Sequence, residues 1–217
     1  MLYVSFCIGN ILLSIFRELG GLFGAPAETL SEIMIMIKHF SRQLGQEALP
    51  VNLLTLQMFR YAGKALRFKG KASETRRMLP CLLLFLEHLP TLTPCSLIRL
   101  NCVKHLNGVY EELYNWGPGS GERAAVHARK HCILYVQLGR LAEVQTPGDK
   151  LFNVYPKHHL FVHCIESIPA TGNPTSSWCY ADEREIACTV AIAESVHVNS
   201  MPLTLMQKYR CSALVDV

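Results

Sequence analysis

Residues 95–121, with the sequence CSLIRLNCVKHLNGVYEELYNWGPGSG, decide the fold class of this chain. Their apolar side chains recur every three or four positions, which is the spacing of one helix face. They are Leu97, Leu100, Val103, Leu106, Val109, Tyr110 and Leu113. The glycine- and proline-rich tract 117–121 must then be a loop. The pattern predicts a helix over about 95–115 and another over about 122–144, although residues 132–136, CILYV, are also compatible with a buried strand.

Helical spacing extends over most of the remaining chain, whereas alternation of period two is scarce. Helices are predicted over about 29–44, 52–68, 156–168, 177–196 and 202–214, together with a short helix that Pro80 starts and Pro90 closes. A brief extended segment is predicted near 151–155, because the residue before a proline avoids the helical region. We therefore predict an all-α fold, an irregular multi-helix bundle of about eight helices in a single domain over residues 1–217.

The composition is that of a well-buried globular protein. Half of the 217 residues are hydrophobic and 18% are charged, which is too apolar for a disordered chain and too interrupted for a polytopic membrane protein. The nine cysteines are odd in number and include no CxxC pair, which favours reduced thiols over a secreted disulfide framework. We expect an intracellular protein, nuclear or cytoplasmic, without a membrane partner.

Residues 2–16, LYVSFCIGNILLSIF, form an apolar segment at the N-terminus. Its length of about 15 residues is short of the roughly 20 needed to span a bilayer, and no basic residue precedes Arg17 as in a signal peptide. A helix that is buried or faces a partner fits best, and a membrane or export signal and a fragment artefact are the alternatives. Residues 1–27 are expected to hold a separate apolar helix, with a protein partner docking through residues 2–16.

Seven basic residues and one acid, Glu74, lie between Arg60 and Arg77. This local excess of six positive charges is larger than the net charge of the chain, +4. On a helix, positions i, i+4, i+7 and i+11 from Arg60 would form one cationic ridge. Such a ridge neutralises phosphates of DNA or RNA without sequence preference, although a solvated helix face also looks like this. The residues expected to contact nucleic acid are Arg60, Lys64, Arg67, Lys69, Lys71, Arg76 and Arg77.

Histidines are concentrated at the start of residues 156–185, PKHHLFVHCIESIPATGNPTSSWCYADERE. His159 and His163 are four residues apart on a predicted helix, a spacing that can present two imidazoles to one metal ion such as Zn²⁺. The sequence offers no clear third and fourth ligands, although a similar HxxxHC at 127–132 could supply a second half-site. Packing or hydrogen bonding is the alternative explanation for the pair.

Acids follow in the same block, where Asp182 and Glu183 lie in the first turns of the predicted helix that begins near Trp178. Negative charge there compensates the helix dipole, or a carboxylate there serves Mg²⁺, which usually needs further acids from distant positions. The sequence has no GxSxG, GxGxxG or GxxxxGKS/T motif. Hydrolase and nucleotide-binding functions therefore lose their usual support.

The succession PKHHLFVH, GNP, Trp178, Tyr180 and Asp182-Glu183 resembles the C-terminal PKxHxLxH and GxPxxxWxYxxE block of open reading frames derived from DNA transposons, including transposases of the Kyakuja-Dileera-Zisupton kind. The resemblance covers about 30 residues. It implies a ribonuclease-H-like core that cuts DNA with Mg²⁺ and three acids, of which Glu183 would match the last. The chain departs from that pattern because it lacks a strand-rich segment with two earlier aspartates, and Asp149 is the only aspartate before Asp182.

Three hypotheses follow. The first is a transposon-derived helical protein without independent catalytic activity, the tail of a larger element protein or its remnant, that contacts DNA or RNA nonspecifically through the basic segment. No cofactor is expected in that case, and Mg²⁺ only within a larger transposase. The second is a helical interaction or scaffold protein that docks through residues 2–16. The third is a fragment of a Mg²⁺-dependent DNA nuclease or integrase that uses Glu183, with Asp182.

Overall fold

A computed structural model of the chain describes residues 2–19, 26–45, 54–62, 65–68, 72–89, 93–148 and 151–177. The chain divides into two compact units, Met1–Asn173 and Pro174–Val217. The second unit is described only at a short 3₁₀ turn, Pro174–Ser177. Because nearly all of that unit lies outside the described residues, the single domain over residues 1–217 stays a prediction.

Seven α-helices and one β-hairpin make up the described part of the chain. The helices are α1 Leu2–Leu19, α2 Pro26–Gln43, α3 Ala72–His88, α4 Pro94–Tyr114, α5 Ser120–Gln145, α6 Pro156–Glu166 and α7 Ile168–Thr171. The hairpin pairs β1 Phe59–Ala62 antiparallel with β2 Ala65–Phe68, directly after a 3₁₀ turn at Leu56–Met58. The prediction of a mostly helical, all-α chain is confirmed, and residues 132–136 are helical.

Helix α1 lies within the core. Ile8, Ile11 and Ile15 are fully buried on it, and the helix packs against α2, α3, α6 and β2. Burying a side chain of this kind contributes roughly 1.5–3 kcal/mol to folding. The approach to β2 is close, because a Cβ atom on Gly9 would lie 3.0 Å from the backbone nitrogen of Phe68. From Cys7 onward, where the side chains are described, the chain thus covers the apolar side of α1 with its own elements.

This packing corrects the expectation of a separate apolar helix within residues 1–27. The helix exists, but the apolar side chains described on it, from Cys7 to Leu19, are mostly buried against the rest of the chain. An uncovered apolar face was the reason to assign a protein partner to residues 2–16, and that reason does not hold for the side chains described from residue 7 onward. No helix in the described ranges has both the length and the apolar character that crossing a membrane requires.

Helices α4 and α5 form a closely packed pair joined by the predicted loop. Thr93 caps α4, because its side-chain oxygen accepts a hydrogen bond from the backbone N–H of Ser96 at 3.2 Å. Gly119 precedes α5 with a φ of 74°, a left-handed conformation that favours glycine. The helices approach closely at Gly108, where a Cβ atom would lie 2.4 Å from the ring of His127. Both helices predicted in this region are therefore present, close to their predicted ends.

The prediction of a helix over about 52–68 is wrong, because this region contains the β-hairpin. The register pairs Phe59 with Phe68, Arg60 with Arg67, Tyr61 with Leu66 and Ala62 with Ala65. Aromatic residues favour strands, and the buried rings of Phe59 and Phe68 contact each other at 5.7 Å across the hairpin. Cross-strand packing therefore outweighs the helical spacing. The signal in the sequence is the near mirror symmetry of FRYA and ALRF about a two-residue link that contains glycine.

The short helix predicted to start at Pro80 belongs to a longer one, since α3 runs over Ala72–His88 with Pro80 inside it. A proline in a helix interior removes one backbone hydrogen bond and costs about 3 kcal/mol. Met78, Leu82 and Phe85 are fully buried, and their burial offsets this cost. Arg76 and Arg77 therefore lie on α3.

The segment 151–155, predicted to be extended, begins with a turn and ends with an extended residue. Tyr155 is extended, with φ of −115° and ψ of 161°, directly before Pro156. Leu151 and Phe152 form a turn in which Phe152 has a φ of 57°. The backbone N–H of Phe152 donates to Oδ1 of Asn10 at 2.9 Å, which ties the turn to α1. The helices predicted over about 177–196 and 202–214 lie outside the described residues.

Candidate functional site

The basic segment is a hairpin followed by the start of a helix, so the predicted helical ridge is wrong. Arg60 and Arg67 occupy directly opposed positions of β1 and β2. Because successive strand positions alternate between faces, both arginine positions belong to the face opposite to that of Phe59 and Phe68. Lys64, Lys69 and Lys71 lie outside the described residues.

The aromatic face of the hairpin is fixed to the core. Phe68 is fully buried and Phe59 is buried, with their ring centroids 5.7 Å apart. The backbone of Phe68 packs against Gly9 of α1, a position where any side chain would crowd the strand. The face with the two arginine positions is therefore not the one that makes this contact.

Arg76 and Arg77 continue the basic segment near the start of α3. The Arg77 side chain is exposed, whereas Arg76 is half-buried. The guanidinium carbon of Arg76 lies 5.0 Å from the ring centroid of Tyr114 on α4. A cation–π contact of this kind keeps the positive charge and orients the side chain. The structure therefore places these two arginines on the helix that follows the hairpin in sequence.

His159 and His163 lie together on the exposed side of α6. Their Nε2 atoms are 2.9 Å apart, and their ring centroids are 4.2 Å apart. On its other side, Nδ1 of His163 lies 3.7 Å from Oε2 of Glu166. The Nε–H of Arg129 on α5 donates to Oε1 of the same carboxylate at 2.7 Å. The four-residue spacing thus brings the two imidazoles into contact, and metal binding by them stays a prediction.

The HxxxHC segment at 127–132 does not join that pair. Nδ1 of His127 lies 3.1 Å from Nδ1 of His105 on α4, and His131 points into the core, where its Nδ1 lies 2.8 Å from the carbonyl oxygen of Cys102. Within the part of the chain that the structure describes, no three His, Cys, Asp or Glu side chains are grouped so that they could hold a metal ion. The idea that two half-sites meet in one metal centre is therefore wrong for these residues.

His131 links three helices inside the core, a role that the sequence analysis missed. Its Nδ1–H donates to the carbonyl of Cys102 on α4, so its Nε2 accepts from the thiol of Cys7 on α1 at 3.6 Å. Burial lowers the pKa of His131 to about 4, against the opposing effect of the Cys102 hydrogen bond, and the ring is neutral at pH 7. The available signal was its position on the apolar face of α5, seven residues after Ala124 and four before Tyr135.

His158 is a second histidine whose role the sequence analysis did not predict. The side chain of His158 is buried, and its Nδ1 accepts a hydrogen bond from the backbone N–H of Tyr155 at 3.0 Å. This bond satisfies a donor at the start of α6, as a capping-box glutamate does elsewhere. Burial lowers the pKa of His158 to about 4. His158 therefore stabilises the fold, whereas the exposed His159 and His163 are available to a ligand.

The acids proposed for a Mg²⁺ centre, Asp182 and Glu183, lie outside the described residues, as does Asp149. Their assignment depends on the resemblance of residues 156–185 to transposon reading frames, and it stays a prediction. In the resembling block, the helix at 156–166 is present as α6, which gives its PKHHLFVH segment a helical structure.

Comparison of the chain with protein-family models, with curated proteins and with solved structures found no match.

Proposed function

We propose that the chain is a transposon-derived protein that contacts nucleic acid through residues 60–77 and has no catalytic activity of its own. The observation that carries the proposal is the hairpin register, which pairs Arg60 with Arg67 on the face opposite to the buried Phe59 and Phe68. One face of the hairpin packs against the core, and the two arginine positions belong to the other face.

Directly opposed arginines are unfavourable in a hairpin that binds nothing. Like charges at opposed positions destabilise a strand pair, with cross-strand effects of roughly 0.2–1 kcal/mol. A bound phosphate relieves this repulsion and accepts charge-assisted hydrogen bonds from guanidinium groups, whose planar fork matches its oxygens. A two-stranded ribbon also fits the major groove of duplex DNA. The arrangement at Arg60 and Arg67 is therefore better explained by an anionic partner than by solvation alone.

The size of the charge excess favours a polyanion over a small anion. Residues 60–77 carry six net positive charges spread over 18 positions, in a chain whose net charge is only +4. Neutralising several phosphates releases counterions, and this gives binding that depends on salt and ignores sequence. The resemblance of residues 156–185 to transposon reading frames supports DNA as the partner, with RNA as the alternative.

The test is fluorescence anisotropy with a labelled mixed-sequence DNA duplex over a salt series from about 50 to 300 mM. The wild-type chain should bind with an affinity that falls linearly on a logarithmic salt scale. The Arg60→Glu/Arg67→Glu variant should bind at least ~tenfold more weakly and reduce the salt slope by roughly two. A labelled RNA duplex of the same length, measured alongside, separates the two nucleic acids.

Arg42→Glu/Arg140→Glu is the matched control. Arg42 on α2 and Arg140 on α5 are exposed, and the double change alters the net charge equally while leaving residues 60–77 intact. Its affinity should stay close to that of the wild type, and thermal melts of both variants should confirm folding. Absence of wild-type binding at the lowest salt, or equal weakening in both double variants, would refute the proposal.

A further inference from the structure

We propose that His159 and His163 form a two-histidine site on α6 for a first-row transition-metal ion that prefers tetragonal or octahedral coordination, such as Ni²⁺ or Cu²⁺. The two side chains are exposed and belong to one helix, so the site needs no rearrangement of the fold. It is independent of the basic segment.

The separation of the two nitrogen atoms selects the class of metal. Imidazole nitrogens bind such metals at about 2.0–2.1 Å. With Nε2 atoms 2.9 Å apart, both bonds can form at a nitrogen–metal–nitrogen angle of about 90°. That is the angle between adjacent ligands in square-planar and octahedral complexes, whereas a tetrahedral Zn²⁺ site requires a separation of about 3.4 Å. The pair therefore suits Ni²⁺ and Cu²⁺ better than Zn²⁺.

The carboxylate of Glu166 lies on the Nδ1 side of the His163 ring. Its Oε2 lies 3.7 Å from Nδ1 of His163, and Arg129 holds the other carboxylate oxygen at 2.7 Å. A carboxylate on this side favours the tautomer with the proton on Nδ1, which leaves the Nε2 lone pair directed toward His159. Metal-binding histidines commonly have such a carboxylate behind them, where it fixes the ring and raises its basicity.

The other close histidine pair in the described residues is less suited to a cation. His105 and His127 approach to 3.1 Å through their Nδ1 atoms, but they lie half-buried between α4 and α5. Burial, His127, and the charges of Lys130 and Lys104 lower the pKa of His105. The same two lysines would repel a bound metal ion. Next to His159 and His163, by contrast, the structure places the carboxylate of Glu166.

The remaining coordination positions belong to water or to an added ligand, because the described residues group no third His, Cys, Asp or Glu side chain with the pair for metal binding. Ni²⁺ readily accepts water at such coordination positions, and its affinity for nitrogen ligands exceeds that of Mn²⁺ or Fe²⁺. Mg²⁺ prefers oxygen ligands and should not bind here. The site thus differs chemically from the Mg²⁺ centre of a nuclease.

The test is isothermal titration calorimetry of the full chain, under reducing conditions without chelating thiols, with Ni²⁺ as the probe. We expect one site per chain whose affinity falls at least ~tenfold in His159→Ala and in His163→Ala. Glu166→Gln keeps both imidazoles and should weaken binding less than either change. An excess of Mg²⁺ should not displace Ni²⁺.

Two controls exclude other sites. His39→Ala removes an exposed histidine on α2, and Cys164→Ser removes the exposed thiol next to His163; both should retain wild-type affinity. Because all the altered side chains are exposed or half-buried, the variants should have the same melting temperature as the wild type. Wild-type affinity in His159→Ala or His163→Ala would overturn the proposal, as would loss of binding in Cys164→Ser, which would indicate thiolate coordination.

Discussion

At the scale of one residue, the buried hydroxyl of Tyr135 lowers the stability of the core. The side chain is fully buried on α5, and its oxygen makes no hydrogen bond within the described residues. Leaving a buried hydroxyl without a partner costs roughly 1–3 kcal/mol. Tyr135→Phe removes the oxygen and keeps the ring contacts with Phe152 at 5.4 Å and His158 at 4.5 Å. The free energy of unfolding should therefore rise by about 1 kcal/mol.

Urea unfolding followed by circular dichroism measures this change, as a higher midpoint with an unchanged slope. Tyr114→Phe is the matched control, because its side chain is exposed, and its effect should stay within about 0.5 kcal/mol. A lower midpoint for Tyr135→Phe would show that the hydroxyl makes a stabilising hydrogen bond in solution.

At the scale of elements, the sequence predicted the long helices well, because each has a regular apolar face. The 95–115 and 122–144 patterns correspond to α4 and α5, and the 29–44 pattern to α2. The hairpin was missed because its register depends on which aromatic residues meet across it, and Phe59 and Phe68 are nine positions apart. Pro80 was placed at a helix start because sequence shows the lost hydrogen bond and not the burial that offsets it.

The histidine contacts likewise differ in whether the sequence predicts them. The spacing of His159 and His163 sufficed to predict that they meet, since one helix sets their geometry. The contacts of His131 with Cys7 and Cys102 join residues 124 and 29 positions apart, and no local pattern encodes them. Contacts between elements depend on how the whole core packs, and this packing cannot be predicted from the local pattern of a single sequence.

Contact between α5 and the turn before α6 depends on Gly139. A Cβ atom at this position would lie 2.9 Å from the carbonyl oxygen of Phe152, which is backbone and cannot rotate away. Gly139→Ala should therefore lower the free energy of unfolding by roughly 1–3 kcal/mol, against the usual helix preference for alanine. Gly117→Ala is the control, since a Cβ atom there meets nothing within 4 Å. Urea midpoints measure both, and equal midpoints would contradict close packing at Gly139.

At the scale of the molecule, buried polar contacts tie α1 to the rest of the first unit. His131 on α5 joins Cys7, and Asn10 holds the backbone of Phe152. Near the other end of α1, a guanidinium nitrogen of the buried Arg99 on α4 lies 2.6 Å from Glu18. Hydrogen bonds from Ser96 and Arg99 and the Arg99 charge lower the pKa of Glu18, against the opposing effect of burial. Apolar burial places α1, and these polar contacts select one orientation for it.

The two buried histidines make the stability of the unit depend on pH. Burial lowers the pKa of both His131 and His158 to about 4, below the value near 6.5 expected in the unfolded chain. Between these values the unfolded state binds more protons than the folded state. The contribution of these neutral histidines to the free energy of unfolding is therefore fully present above about pH 6.5. It is lost as the pH drops toward 4, by on the order of 3 kcal/mol for a fully buried histidine.

Urea midpoints between about pH 7.5 and 4 should accordingly fall, with a slope that reflects up to two protons from these two histidines and a further contribution from His105, whose pKa is also lowered. His131→Gln should reduce that slope by about one proton, whatever its effect on stability at pH 7.5. Tyr135→Phe alters the same buried cluster without removing a group that titrates in this range, so its slope should equal that of the wild type. A His131→Gln slope as steep as the wild-type one would mean that His131 already carries its proton in the fold, with Cys7 and Cys102 around a buried cation.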